Sequence, residues 1–139
     1  MNLHNLAQAN LNDAQMRLRT AREVLRQGEY HFCVRLSQEA VELALKAALR
    51  FINIDPPKWH DVSVVLKNNV DRFPDWFRQR ISNLSAISAS LRNERERSMY
   101  GDEDSNTPAQ ELYTMQDAET ALFSAQQVIA DCVELLNKL

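Results

Sequence analysis

The sequence is poor in the residues that break a chain into short pieces. Two glycines and four prolines in 139 residues leave few of the turns that an all-β fold needs between its strands. Cysteine is equally scarce. Cys33 and Cys132 stand far apart with no CxxC spacing, which points to neither a disulfide framework nor a zinc site; both read as reduced core residues of a cytoplasmic protein. No apolar run approaches the roughly 20 residues that cross a bilayer. The start, MNLHNLAQANLND, lacks the basic head and apolar centre of a signal peptide, and the chain reads as having no membrane association. A glycine-rich phosphate loop, HExxH, paired Cys/His ligands and GxSxG are all missing, so no motif implies a cofactor or a metal. Basic excess is missing too. A formal net charge of −3 and a pI near 5.6 argue against indiscriminate coating of nucleic acid and leave room only for a local basic site.

What is abundant is alanine, leucine, glutamate, glutamine and arginine, the residues of long helices. Residues 1–139 are expected to form a single all-α domain, an up-and-down antiparallel bundle of four long helices plus one short helix. The stretch from Tyr30 to Asn53 organises it. Its charged residues, Arg35, Glu39, Glu42, Lys46 and Arg50, recur at spacings of four, three, four and four and draw one narrow polar stripe. The rest of the cylinder is apolar, the reverse of a surface helix, which makes this a central helix packed on most sides. Ala40, Ala44, Ala47 and Ala48 let neighbours approach closely. The stripe reads either as a line of ion pairs, Arg35–Glu39 and Glu42–Lys46, or as the charged wall of a groove, with ion pairs favoured.

A first helix is expected from about Leu3 to Gln27, its seam Leu3, Ala7, Leu11, Ala14, Leu18, Ala21 and Leu25, stopped by Gly28 and paired in a hairpin with the central helix. Pro56 and Pro57 forbid continuation of that second helix. A short helix from Asp61 to Asn69, capped by Asp61, carries Val62, Val65 and Leu66 inward. The fourth spans about Pro74 to Met99 on the seam Phe77, Ile81, Leu84, Ser88 and Leu91, a period that continues to Arg95 and Ser98. GDEDSNTPAQE is an acidic segment of loop or partly disordered type. The last helix, Met115 to Lys138, has the seam Met115, Ala118, Leu122, Ala125, Ile129, Cys132, Leu136 and Leu139, with Thr114 and Asp117 resembling a capping box.

Of the three histidines, His4 reads as a solvated surface residue, His31 as an exposed or packing residue, and His60 with Asp61 as a helix-start cap. The concentrated feature is Leu91 to Glu103, LRNERERSMYGDE. Its arginines, Arg92, Arg95 and Arg97, alternate with Glu94 and Glu96, directly before a tyrosine and a helix stop. One reading is a solvated helix end laced by pairs such as Arg92–Glu96. The other is phosphate or nucleotide recognition by Arg92, Arg95 and Arg97, with Tyr100 adding a hydroxyl and a stacking face.

Taken in order, several short pieces resemble the HEPN domain family. They are Leu25-Arg26-Gln27-Gly28-Glu29-Tyr30, the run Ser37 to Ala47 (SQEAVELALKA), then Pro57, His60-Asp61-Val62, and Arg95-Glu96-Arg97-Ser98-Met99-Tyr100-Gly101-Asp102. The resemblance covers nearly the whole chain. It implies a helical bundle that pairs as a homodimer with a polar cleft at the interface. Many members are metal-independent ribonucleases that use an arginine and a histidine four to six residues apart. Small members often act as toxins in toxin–antitoxin pairs, encoded with a minimal nucleotidyltransferase, which in some pairs adds AMP to a tyrosine beside the motif. Here no histidine follows His60, so the motif's histidine is absent. Two registers remain: Arg92 with Arg97 in the histidine's place, or Arg95 with Tyr100 there. The second agrees with the Tyr-Gly-Asp ending of this subgroup. Carried over, the resemblance makes Arg95 and Tyr100 the catalytic or nucleotide-handling pair, Tyr100 the nucleotidylation acceptor, and Glu42 and Lys46 supports behind them. A phenol replaces an imidazole poorly as a base near pH 7, which leaves a non-catalytic nucleotide-, RNA- or protein-binding dimer as the competing reading.

Overall fold

The computed structural model describes residues 2–56, 58 and 61–137; the expectations placed on Pro57, His60, Lys138 and Leu139 fall outside these. The described residues form α1 (His4–Arg26), α2 (Tyr30–Phe51), α3 (Val62–Asn68), α4 (Asp75–Arg92), α5 (Arg97–Tyr100), α6 (Ala109–Leu112) and α7 (Met115–Asn137). Four are long, and no strand occurs among the described residues. The all-α bundle read from composition and period is the fold. No helix among the described residues is long and apolar enough to cross a membrane.

Helix α2 is the hub. It packs most extensively against α1 and α7 and also touches α3 and α4. Its alanines make this possible: Ala40, Ala44, Ala47 and Ala48 are wholly buried, as are Ala7, Ala14 and Ala21 on α1 and Ala118 and Ala125 on α7. Small side chains bring the axes close, and Leu45, Leu49, Leu66, Phe77 and Leu84 fill the space between layers. Each such residue contributes about 1.5–3 kcal/mol on burial. The α1–α2 hairpin turns on Gly28, at φ 79°, where Glu29 N–H donates back to Val24 O at 2.9 Å in the left-handed closure that glycine suits.

Several boundaries differ from the sequence expectation. Helix α2 ends at Phe51, not Asn53, because Asn53 takes the left-handed conformation at φ 64° and Ile54 N–H closes on Leu49 O at 3.0 Å; the prolines come after the stop. On α1 the seam ends on buried Val24, with Leu25 only half-buried. On α7 Met115 is exposed and Leu135 is buried where Leu136 was expected. The Thr114–Asp117 capping box forms with both bonds: Asp117 N–H donates to Thr114 Oγ1 at 3.1 Å and Thr114 N–H to Asp117 Oδ2 at 2.9 Å. Asp61 caps α3, accepting from Ser63 N–H at 2.9 Å. His4 is exposed as expected, stacked on Phe51 with ring centroids 4.9 Å apart.

The largest correction concerns α4. It stops at Arg92, and the next residues tighten into bonds from Glu94 N–H to Leu91 O and from Arg95 N–H to Arg92 O before α5 begins. Asn93, a weak helix former, stands at the break. Arg95 therefore does not continue a core-facing seam; its side chain is 58% exposed. The acidic segment is also more ordered than expected. Asp102 and Thr107 exchange two backbone bonds of 2.8 and 2.9 Å, and α6 follows at once. Gly101 permits this at φ 80°, since a Cβ there would lie 2.3 Å from Thr107 O.

Candidate functional site

The break after Arg92 decides where the arginines go. Arg92 and Arg95 open onto a cleft of about 470 Å³ whose other walls are Asn93, Glu96, Met99 and Tyr100. Arg97 does not join them. It edges a groove between α4 and α7 with Glu94 and Tyr113, and shares a smaller recess with Glu96 and Tyr100. The three arginines expected to hold phosphate together are thus divided two and one.

Each cleft arginine has a carboxylate behind it. Arg95 stands 3.9 Å from Glu42 on α2, and Arg92 stands 3.9 Å from Asp61 at the start of α3. The expected pairs Glu42–Lys46 and Arg92–Glu96 are absent among the described residues. The central stripe divides by position. Near its start Glu39 takes Arg35 at 3.1 Å and Arg17 of α1 at 3.0 Å, and at its end Arg50 takes Asp55. In the middle, Glu42 stands behind Arg95 and lines a small recess with Gln38, Val41, Val62, Ser88 and Arg92, not the cleft itself. The stripe is thus a line of ion pairs at its start and end. Lys46 does not line the cleft.

At 3.9 Å neither arginine makes a hydrogen bond with its carboxylate. Pairs this long and half exposed are worth about 0–1 kcal/mol. A charge-assisted hydrogen bond to an arriving phosphate is worth about 1.5–3 kcal/mol, and each guanidinium has five N–H donors. The phosphate wins that competition. Glu42 and Asp61 hold the guanidiniums at the rim without consuming them. Tyr100, 67% exposed, offers a ring face to an unpaired base beside them. Among the described residues, no imidazole lines the cleft.

The chain matches the HEPN domain model over residues 7–136. It belongs to the HEPN domain family. Neither the curated proteins nor the solved structures gave a match. The match spans the whole bundle of this HEPN domain, cleft included, and agrees with the family read from its sequence.

Two features escaped the sequence reading. Asp61 was read only as a cap, although it also backs Arg92. Tyr113 was given no role, although its hydroxyl donates to Glu94 Oε2 at 2.6 Å. Burial and this carboxylate together hold the Tyr113 phenol well above its usual range. No local pattern signals a bond across 19 residues of turns; only the Asp102–Thr107 closure brings the two ends together.

Proposed function

We propose that this HEPN domain binds the phosphates of single-stranded RNA in the cleft of Arg92, Arg95 and Tyr100, as a module that works with a nucleotidyltransferase partner. The observation that carries the reading is the pairing of two half-exposed guanidiniums, each only loosely engaged, with an exposed tyrosine ring in one cleft. Arginines fix the backbone and an aromatic face stacks a base, the usual division of labour for unpaired strands. HEPN domains often dimerise, and a second copy across the cleft would double its arginines. The partner is supported by the Tyr100-Gly101-Asp102 ending beside the arginines, with Tyr100 exposed enough to accept a nucleotidyl group on its hydroxyl.

Binding is favoured over cleavage. In-line attack at phosphate needs a group to take a proton from the 2′-hydroxyl near neutral pH, and the cleft's Tyr100 is a phenol where the family motif has an imidazole. Incubation of a mixed-sequence RNA in EDTA is expected to give no cleavage above that of Arg95→Ala, while the parent retains the RNA on a filter. Cleavage lost in both Arg95→Ala and Tyr100→Phe would overturn the binding-only reading and make the pair catalytic. For the partner, co-expression with a nucleotidyltransferase from a neighbouring reading frame is expected to add one nucleotidyl mass to the Tyr100 peptide and none in Tyr100→Phe.

A further inference from the structure

The groove that receives Arg97 is larger than the cleft, about 580 Å³, within the range of small-ligand pockets. Its floor is apolar: Val34 of α2, Ile87 and Leu91 of α4, and Ala121 of α7. Its polar lining includes Ser90, Gln116, Thr120 and Ser124 as well as charged groups. Glu94 and Asp117 supply carboxylates, and Arg97 supplies a guanidinium 3.8 Å from Glu94 Oε1. The oxygens are only partly used. Tyr113 occupies Glu94 Oε2, and Thr114 N–H occupies Asp117 Oδ2. A carboxylate has about four lone-pair sites, so Glu94 still accepts, and Arg97, half exposed, still donates. The cleft, whose apolar lining is Met99 and the Tyr100 ring, has no such floor.

A flat heterocycle over an apolar floor, with its edge against an acceptor next to a donor, matches a nucleobase. The four bases differ in what they present there. Guanine offers a carbonyl acceptor beside two adjacent N–H donors, which pairs the carbonyl with Arg97 and both donors with Glu94. Uracil flanks its single N–H with two carbonyls, one of which must face the carboxylate. We propose that the groove between α4 and α7 is a guanine-selective base subsite, read by Glu94 and Arg97, separate from the phosphate-binding cleft. For a base carried on RNA the inference rests on the reading given above; for a free nucleotide it stands separately.

The test is a set of titrations by calorimetry. U6 and the hexamer UUUGUU are compared, as are GMP and UMP, on the parent, Glu94→Gln, Thr120→Trp and Arg95→Ala. The parent is expected to bind UUUGUU about tenfold more tightly than U6, the scale of one bidentate base contact. Glu94→Gln puts an N–H where guanine needs an acceptor, and its ratio is expected to fall to near one. Thr120→Trp fills the groove, leaves the Tyr113–Glu94 bond in place, and is expected to do the same; it serves if Glu94→Gln melts early. Arg95→Ala is expected to weaken both hexamers together. Equal binding of the two hexamers by the parent, with both still sensitive to Arg95→Ala, overturns the base subsite and leaves the RNA reading intact. Failure of both hexamers to bind overturns the RNA reading; the subsite then stands if GMP binds about tenfold tighter than UMP, and falls if it does not.

Discussion

Tyr113 shows how one hydrogen bond positions a long connection. Its hydroxyl reaches Glu94 at 2.6 Å and ties the segment after Gly101 to the end of α4. Tyr113→Phe keeps the ring and removes the bond, leaving a half-buried carboxylate short of a donor; the expected loss is about 1–2 kcal/mol by urea denaturation. The fold favours the neutral form of this phenol, and equally that of Cys33, whose thiol burial pushes from 9.0 up to about 11. Both folded values lie above the unfolded ones, so the Cys33 contribution is whole below about pH 9 and is lost as pH rises through about 11, and that of Tyr113 is lost at higher pH still. Stability is expected to hold from neutral pH to about 9 and to fall above it. Cys33 and Cys132 are both buried and free, and thiol reagents are expected to label them far more slowly in native protein than in urea near pH 8; equal rates would contradict the packing described.

At the level of elements, alanine on α2 and glycine at 101 carry most of the consequence. Ala44 is wholly buried in the helix that every long neighbour touches. Ala44→Leu is expected to cost about 1–3 kcal/mol by overpacking, seen as a lower thermal midpoint with helicity retained. Gly101 combines φ 80° and ψ −165°, a region essentially closed to other residues, so Gly101→Ala is expected to cost about 1–3 kcal/mol in backbone strain alone. The Cβ clash with Thr107 O adds to that. The long helices were legible because their seams repeat at helical period, with Gly28 after the stop of α1 and a capping box at the start of α7. Less legible were the ends of α2 and α4. Asn53 stops α2 through a conformation that asparagine tolerates but does not announce, and the break at Asn93 shifts the phase by which Arg95 would have faced the core. Helix α6 has four residues, too few for any period to show. On α7 the buried stripe is wider than the seam and takes in Ala121, Val128 and Leu135, each one residue before a seam position, so that Leu135 rather than Leu136 is fully buried at the far end.

Over the whole molecule, function depends on how the arginines are shared out. The sequence placed Arg92, Arg95, Arg97 and Tyr100 within nine residues and set Glu42 behind them, where it stands 3.9 Å from Arg95. It did not separate Arg97 from the others, because the groove that Arg97 edges is completed by Tyr113 and by α7, both distant in sequence. Nor could it find Asp61 behind Arg92, since that approach depends on how α3 docks against α4. The resulting layout puts two loosely held cations and a tyrosine in one cleft and Arg97 in a separate mixed groove, in a chain whose overall charge is negative. RNA binding here should therefore be local and weakly multivalent, with about two phosphates neutralised per protomer and a correspondingly shallow salt dependence.

The most direct measurement is the affinity of the parent and Arg95→Ala for a short single-stranded RNA by fluorescence anisotropy, across salt from about 50 to 200 mM. The parent is expected to show a log–log slope near −1.4, the value for two phosphates on a single strand, with Arg95→Ala binding more weakly and its slope reduced by about 0.7. Identical affinity and slope for the two proteins would contradict the cleft as the phosphate site.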